Sequence, residues 1–138
     1  MESGMSGMDQ ATSVLILLSD GQRYAWQRRA WDDDSHPGCL DFAAGGGVEP
    51  DESPLQAAQR ELAEELGVSE LALRPLGEAT LEGERCALFQ GELPGSWQLG
   101  PEVDALLILA LEEMRVVPRE RLHPQLAQWL GKARAAGA

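Results

Sequence analysis

The stretch GGGVEPDESPLQAAQRELAEELGV, residues 45–68, holds both a well-formed helix and an electrostatic fault within it. Ser53 can cap, Pro54 suits the first helical position, and Gln56 completes a capping box. Gly67 then closes the helix as the usual residue just past its end. At about 100° per residue, Glu61, Glu64 and Glu65 share an arc of about 100°, beside an apolar stripe of Leu55, Ala58, Leu62 and Leu66. The carboxylates are therefore expected at the edge of the buried face, next to any crevice along the helix. Like charges one turn apart cost about 0.2–0.5 kcal/mol per pair, and acids near a helix C-terminus oppose the dipole by about 0.3–1 kcal/mol each. A sequence that accepts such a cost usually does so at a functional site. A hard divalent cation removes the conflict, because Mg²⁺ favours clustered carboxylate oxygens together with water and substrate phosphates. The other local reading is a solvated acidic face, its repulsion relieved by Arg60 one turn before Glu64.

Composition narrows the partners. The chain has 138 residues, 43% hydrophobic and 25% charged, with a formal net charge of −12. Those values suit one globular domain with a sizeable core. Binding to a nucleic-acid polymer or to an anionic membrane is not expected, since both attractions come from clustered Lys and Arg. The opening MESGMSGMDQATS lacks the basic region and long apolar run of a secretory signal, so a cytoplasmic location is expected. The longest strictly apolar runs, 14–18 and 105–111, are far too short to span a bilayer. Cys39 and Cys86 form no CxxC pair and read as two buried or half-buried free thiols.

Along the chain, residues 1–11 read as a loose tail and 12–136 as the domain. Strands are expected at 13–18 and 23–29, joined by a turn, with Tyr24, Trp26 and Arg28 on one face of the second. Residues 30–47 read as a loop whose glycine run needs conformations that side chains forbid. After the helix, strands are expected at 71–79 and 85–92, then a loop at 93–101. The run 103–111 reads as a strand passing into a helical turn at 112–115, and 123–136 as a C-terminal amphipathic helix.

The spacing around the helix carries a resemblance. Gly46, five residues, Glu52, seven residues, then Arg60-Glu61-Leu62-Ala63-Glu64-Glu65-Leu66-Gly67-Val68 resembles the Nudix box, with no departure over its 23 residues. The resemblance implies an α/β/α sandwich with a central mixed β-sheet and a loop–helix–loop catalytic motif. It also implies hydrolysis of a diphosphate linked to another moiety, assisted by Mg²⁺ or Mn²⁺. Carried over residue by residue, Glu61, Glu64 and Glu65 would bind metal, helped by a backbone carbonyl at Gly45 or Gly46, while Arg60 would pair with Glu52 to hold loop and helix in register. The expected partner is a small-molecule diphosphate, and a homodimer is in keeping with the family. The chemistry agrees, since splitting a diphosphate needs charge neutralisation on phosphoryl oxygens and an oriented, partly deprotonated water. Glu61, or Glu102 from a later loop, would be the base.

The approach to the box, with Pro37-Gly38-Cys39-Leu40-Asp41, is similar to that in Nudix proteins of the isopentenyl-diphosphate isomerase type. The cysteine that isomerase chemistry needs would fall at Ala44, however, and Cys39 comes too early. A hydrolase related to that branch is the expectation, with a ligand-sensing module that has lost turnover as the alternative from another class. Arg28 and Arg29 are candidates for a phosphate contact. Tyr24, Trp26 and Trp31 could stack on a base, although an aromatic on a strand is more often core, and Trp129 reads as packing. Asp32, Asp33 and Asp34 read as a solvated run, and His36 and His123 lack the spacing of metal ligands.

Overall fold

A computed structural model describes residues 10–137. Seven strands form one mixed sheet: β1 (Ser13–Ser19), β2 (Tyr24–Arg29), β3 (Leu40–Asp41), β4 (Ala44–Gly47), β5 (Arg74–Leu81), β6 (Glu84–Glu92) and β7 (Val103–Leu109). Helix α1 (Pro54–Leu66) follows β4; a short helix α2 (Leu111–Met114), a 3₁₀ turn (Arg119–Arg121) and helix α3 (Pro124–Gly137) follow β7. The expected tail lies largely outside the described residues, but Ala11 is already buried in the core, and Thr12 N–H donates to the Arg85 carbonyl.

Strand β1 is apolar on both faces because both are covered. Val14, Ile16 and Leu18 pack with Ala57, Ala58, Leu62 and Leu66 of α1. Leu15 and Leu17 face the other way, with Trp26, Phe42, Met114, Leu126 and Leu130. This gives the two-layered core of an α/β/α sandwich. Strand β1 runs parallel to β6; the other pairings are antiparallel.

Strands β1 and β2 meet only at Ser19 and Tyr24, where the hairpin turns. Asp20 accepts the Gln22 and Arg23 amides there, and Gly21 supplies the positive φ. From that end the strands splay: β1 takes β4 as its neighbour, while β2 takes β3 and β7. A gap therefore opens between the start of β1 and the end of β2, lined by Ser13 and Leu15 on one side and Gln27 and Arg29 on the other.

The glycine run departs from expectation. Residues 44–47 form a strand, and none of Gly45, Gly46 and Gly47 has a positive φ. What they supply is closeness: a side chain at Gly45 would meet the Val14 carbonyl at 2.7 Å. Pairing with Ser13, Val14, Leu15 and Ile16 makes this segment a strand, and no local preference of glycine foretells it. Leu40 and Asp41, expected in the same loop, also form a strand by pairing with Arg28 and Gln27, and the 3₁₀ turn at Arg119–Arg121 was not expected. The remaining strands and helices lie within a few residues of expectation, with β5 starting later than expected, at Arg74.

Candidate active site

Helix α1 is terminated at both ends by the grammar of its sequence. The Ser53 hydroxyl accepts the Gln56 amide at 3.1 Å and the Gln56 side chain accepts the Ser53 amide at 2.9 Å. Gly67 adopts the left-handed conformation, φ 65°, and its amide returns to the last turn. The fixed length sets the rotation of the acidic ridge, and here the structure corrects the sequence reading. Glu61 and Glu65 lie inside the buried arc, each 8% exposed, whereas Leu55, in the first turn, is 41% exposed and Ala57 takes the buried place expected of it. Only Glu64 stands at the exposed edge.

Arg60 organises the ridge. Its Nε donates to Glu52 Oε2 at 2.8 Å and its Nη2 to Glu52 Oε1 at 2.9 Å, a bidentate grip. Nη2 also donates to the Gly47 carbonyl at 2.9 Å, and Nη1 reaches Glu61 at 3.1 Å and Glu64 at 3.5 Å. One guanidinium thus ties the loop, the glycine strand and the helix together. The pairing with Arg60 holds Glu52 down at about 2, and its neighbouring acids raise the arginine further above its ordinary value.

Glu65 lies on the other side of the ridge. Gln27 Nε2 donates to its Oε1 at 2.8 Å and to the Ala43 carbonyl at 3.1 Å, and Gly45 N–H adds a longer bond at 3.3 Å. Burial, reinforced by Glu61, pushes the Glu65 carboxyl up to about 9. A protonated acid of this kind marks a place that welcomes positive charge.

The donors that the motif leads one to expect, three carboxylates and a carbonyl of the glycine strand, are all oxygen, the donor type that a hard divalent cation prefers. The Glu61 carboxylate lies directly against Gly46, where any Cβ would collide with it. Among the described residues no three Asp, Glu, His or Cys side chains converge closely enough to hold a metal. Arg60 draws Glu61 and Glu64 one way, and Gln27 draws Glu65 another.

The gap in the sheet forms a cleft of about 310 Å³ lined by Gln27, Arg29, residues 44–47, Glu65 and Glu102, and on its far side by Asp41, Glu84, His123 and Gln125. A larger groove of about 740 Å³, between residues 71–74 and the ends of β1 and β6, contains no residue of the motif. The two arginines expected at a phosphate are separated. Arg29 faces the cleft, held by Asp41 at 3.1 Å, Asp33 at 3.3 Å and the Ser35 carbonyl at 3.0 Å. Arg28 turns the other way to Asp104, at 2.7 Å, and lies over Trp31, so it is not brought to the site. Asp33 accordingly is a cleft residue rather than a solvated charge.

Trp26 is fully buried, Trp129 packs edge-on against Phe42, and Trp31 is 62% exposed. The thiols are free, Cys39 half-buried and Cys86 buried, and neither lines the cleft. Sequence reasoning gave no site role to Gln27, Glu84, His123 or Gln125. His123 caps α3, its Nδ1 accepting the Gln125 amide at 3.2 Å, and its ring meets His36 with centroids 4.7 Å apart. Burial lowers the His123 pKa and raises that of Asp41. These residues come from β2, β6 and the start of α3, and no local pattern links them to the motif.

Comparison with known proteins agrees with this geometry. The sequence matches the NUDIX domain family over residues 9–133. An uncharacterised Nudix hydrolase of Yersinia pestis is 37% identical over 108 residues, covering 74% of this chain but 59% of the relative, so the chain spans little more than half of that protein. One from Pseudomonas aeruginosa is 36% identical over 126 residues, covering 85% of this chain and 73% of the relative. Among solved structures, DR0079 from Deinococcus radiodurans superposes with a TM-score of 0.78 at 23% identity, over 88% of this chain and 82% of that one. The NUDIX domain of Shewanella oneidensis NrtR, complexed with ADP ribose, superposes with 0.68 at 18% identity over 100% of both chains. At such identities these two likenesses speak for the fold.

Proposed function

The chain belongs to the Nudix family, and from that premise we propose that it is a metal-dependent hydrolase that cleaves a diphosphate linkage by attack of water at phosphorus. The observation that carries the reading is the Arg60 clamp: it fixes Glu52, Gly47 and the acidic helix as one unit, and Glu65 of that helix lines a cleft that also holds Arg29.

In this reading Glu61, Glu64 and Glu65, with a carbonyl of Gly45 or Gly46, hold Mg²⁺ or Mn²⁺. The bound ion supplies neutralisation of phosphoryl charge and a lowered pKa for water. Arg29, fixed by Asp33 and Asp41, donates to a non-bridging phosphoryl oxygen. Of the two candidates for the base, Glu102 lines the cleft, and Glu61 is engaged by Arg60. Glu102 therefore takes the proton from water as its oxygen bonds to phosphorus; the bridging P–O bond breaks, and the departing phosphate carries off the electron pair. Gln27 keeps Glu65 facing the glycine strand.

Isomerase chemistry has less to support it, since it needs a thiol where Ala44 stands and neither cysteine reaches the cleft. A binding module without turnover has no use for three crowded carboxylates beside an intact clamp. A structure of the same fold, the NUDIX domain of NrtR, is complexed with ADP ribose, and nucleoside diphosphate compounds are therefore reasonable first substrates to try. The test is hydrolysis of a diphosphate panel in ¹⁸O-labelled water with Mg²⁺ or Mn²⁺. The reading expects label in a phosphate product; turnover that places label on carbon would refute attack at phosphorus.

A further inference from the structure

The last turn of α1 carries Glu64 and Glu65, and like every helix end it leaves carbonyls without partners inside the helix. Gly67 N–H takes that of Ala63 at 3.1 Å. Two more are met by a segment from far along the chain: Gln98 N–H donates to the Leu66 carbonyl at 2.8 Å, and Gly100 N–H to the Glu65 carbonyl at 2.9 Å. The approach is closer than a side chain allows, since a Cβ at Gly100 would collide with the Glu64 carbonyl oxygen. Trp97, Gln98, Leu99, Pro101 and Glu102 are all exposed, so this segment is held to the helix by its backbone rather than by a core. From Gly100 the chain turns at once. Val103 N–H donates to the Gly100 carbonyl at 3.2 Å, closing a β-turn with Pro101 second, where its fixed φ is suited, and Glu102 third. The Glu102 carbonyl in turn accepts from Ala30 N–H at 3.1 Å, beside Arg29 at the end of β2. Glu102 is thus pinned between the helix turn that carries Glu64 and Glu65 and the strand that carries Arg29.

We infer that Gly100 is a positioning residue for the hydrolysis: its backbone, docked on the Glu64–Glu65 turn of α1, sets where Glu102 stands relative to the acidic ridge before any substrate arrives. The inference rests on the reading of Glu102 as the base and specifies what holds that base in place. Only Pro101 separates the two residues, and a hydrogen bond closes the turn between them, so a shift at Gly100 passes to Glu102 almost undiminished. The helix is the side that does not yield. Leu62 and Leu66 are 1% and 0% exposed, and Arg60 grips Glu52 and Glu61, whereas the loop is open to solvent. Gly100→Ala should therefore displace Glu102 and leave the three ridge carboxylates where they are. A base must reach its proton within about 2.6–3.2 Å, so a misplacement of about 1 Å is enough to slow the reaction. The docked amides also place donors at the negative end of the helix dipole, directly behind two carboxylates that oppose it.

The test measures kcat and KM in Mg²⁺, on the best substrate of the diphosphate panel, for the natural chain, Gly100→Ala, Glu102→Gln and the double variant. Gly100→Ala should lower kcat by about 10- to 100-fold with KM held, and by less than about threefold once Glu102 is already replaced. Mg²⁺ affinity, titrated against melting temperature, should stay within about twofold of that of the natural chain. A role confined to stability would lower the melting temperature and leave kcat alone. Pro101→Gly loosens the same turn from its solvent side and replaces Gly100→Ala if that variant fails to fold, with a loss of about threefold or more that again vanishes in the Glu102→Gln background. Hydrogen exchange on the metal-free natural chain reads the docking itself: the Gln98 and Gly100 amides should be slowed by at least about 10²-fold. Freely exchanging amides, an equal loss of kcat with and without Glu102, or a matching loss of Mg²⁺ affinity overturns the positioning role and leaves the hydrolase standing. Undiminished turnover by Glu102→Gln overturns the base and the inference together, and absence of turnover on the whole panel overturns both with the hydrolase reading.

Discussion

Arg60 and Glu52, eight residues apart, are joined by two parallel hydrogen bonds of 2.8 and 2.9 Å, and the same guanidinium reaches back to the Gly47 carbonyl. This places the loop before the helix, the strand before the loop and the ridge on the helix under one side chain. The pair sits near the surface, so its weight is in positioning rather than in stability.

Replacing Arg60 by Lys keeps the charge and loses the fork. We expect kcat/KM to fall by about 10²-fold, the scale on which small misplacements act, while thermal unfolding stays cooperative and close to that of the natural chain. Steady-state kinetics beside calorimetry checks both halves.

The pH dependence of stability follows from Glu65. Its carboxyl is raised from an ordinary 4.5 to about 9 by burial and by Glu61, so the fold favours the protonated form. A raised acid contributes stability that is complete below the unfolded value and is lost as pH rises through the folded one. The metal-free protein should therefore lose melting temperature progressively between about pH 4.5 and 9 from this group. Added Mg²⁺ should flatten that loss, because it binds the ionised carboxylate. A melting series with EDTA and with Mg²⁺ reads the difference.

At Gly46 a methyl group would strike the Glu61 carboxylate. Gly46→Ala should accordingly displace Glu61 and lower kcat by about 10²-fold, with Mg²⁺ affinity weakened in the same variant. Titration of the metal against melting temperature gives the affinity independently of turnover.

Two leucines of α1 test its orientation in the sheet. Leu62 is 1% exposed, and Leu62→Ala should cost about 2–5 kcal/mol. Leu55 is 41% exposed, and Leu55→Ala should stay within about 0.5 kcal/mol. Urea unfolding distinguishes them; equal losses would put the apolar stripe where its spacing alone suggests.

Much of the fold was legible because its signals are local. Ser53, Pro54, Gln56 and Gly67 delimit α1 by hydrogen bonds within one or two turns, and the continuous apolar strand β1 announces burial on both faces. The glycine strand was not legible, since its conformation comes from pairing with β1 rather than from anything glycine prefers. The rotation of α1 was off by part of a turn for a related reason: spacing gives the width of an apolar stripe, while the depth of Glu61 and Glu65 depends on what lies opposite. The motif named the ridge and its clamp from sequence alone. The far wall of the cleft comes from β3, β6 and α3, and only their arrangement around the splayed hairpin brings Asp41, Glu84 and Gln125 to the same gap.

The central claim is that the ridge supports hydrolysis by holding a metal, and Glu64 tests it with least disturbance, being exposed and outside the packed core. The measurement is kcat for Glu64→Gln against the natural chain, at saturating Mg²⁺, on the best substrate of the diphosphate panel. A loss of at least about 10²-fold is predicted, the upper end of what partners one shell further from a metal are worth. Turnover unchanged by the substitution would contradict the account.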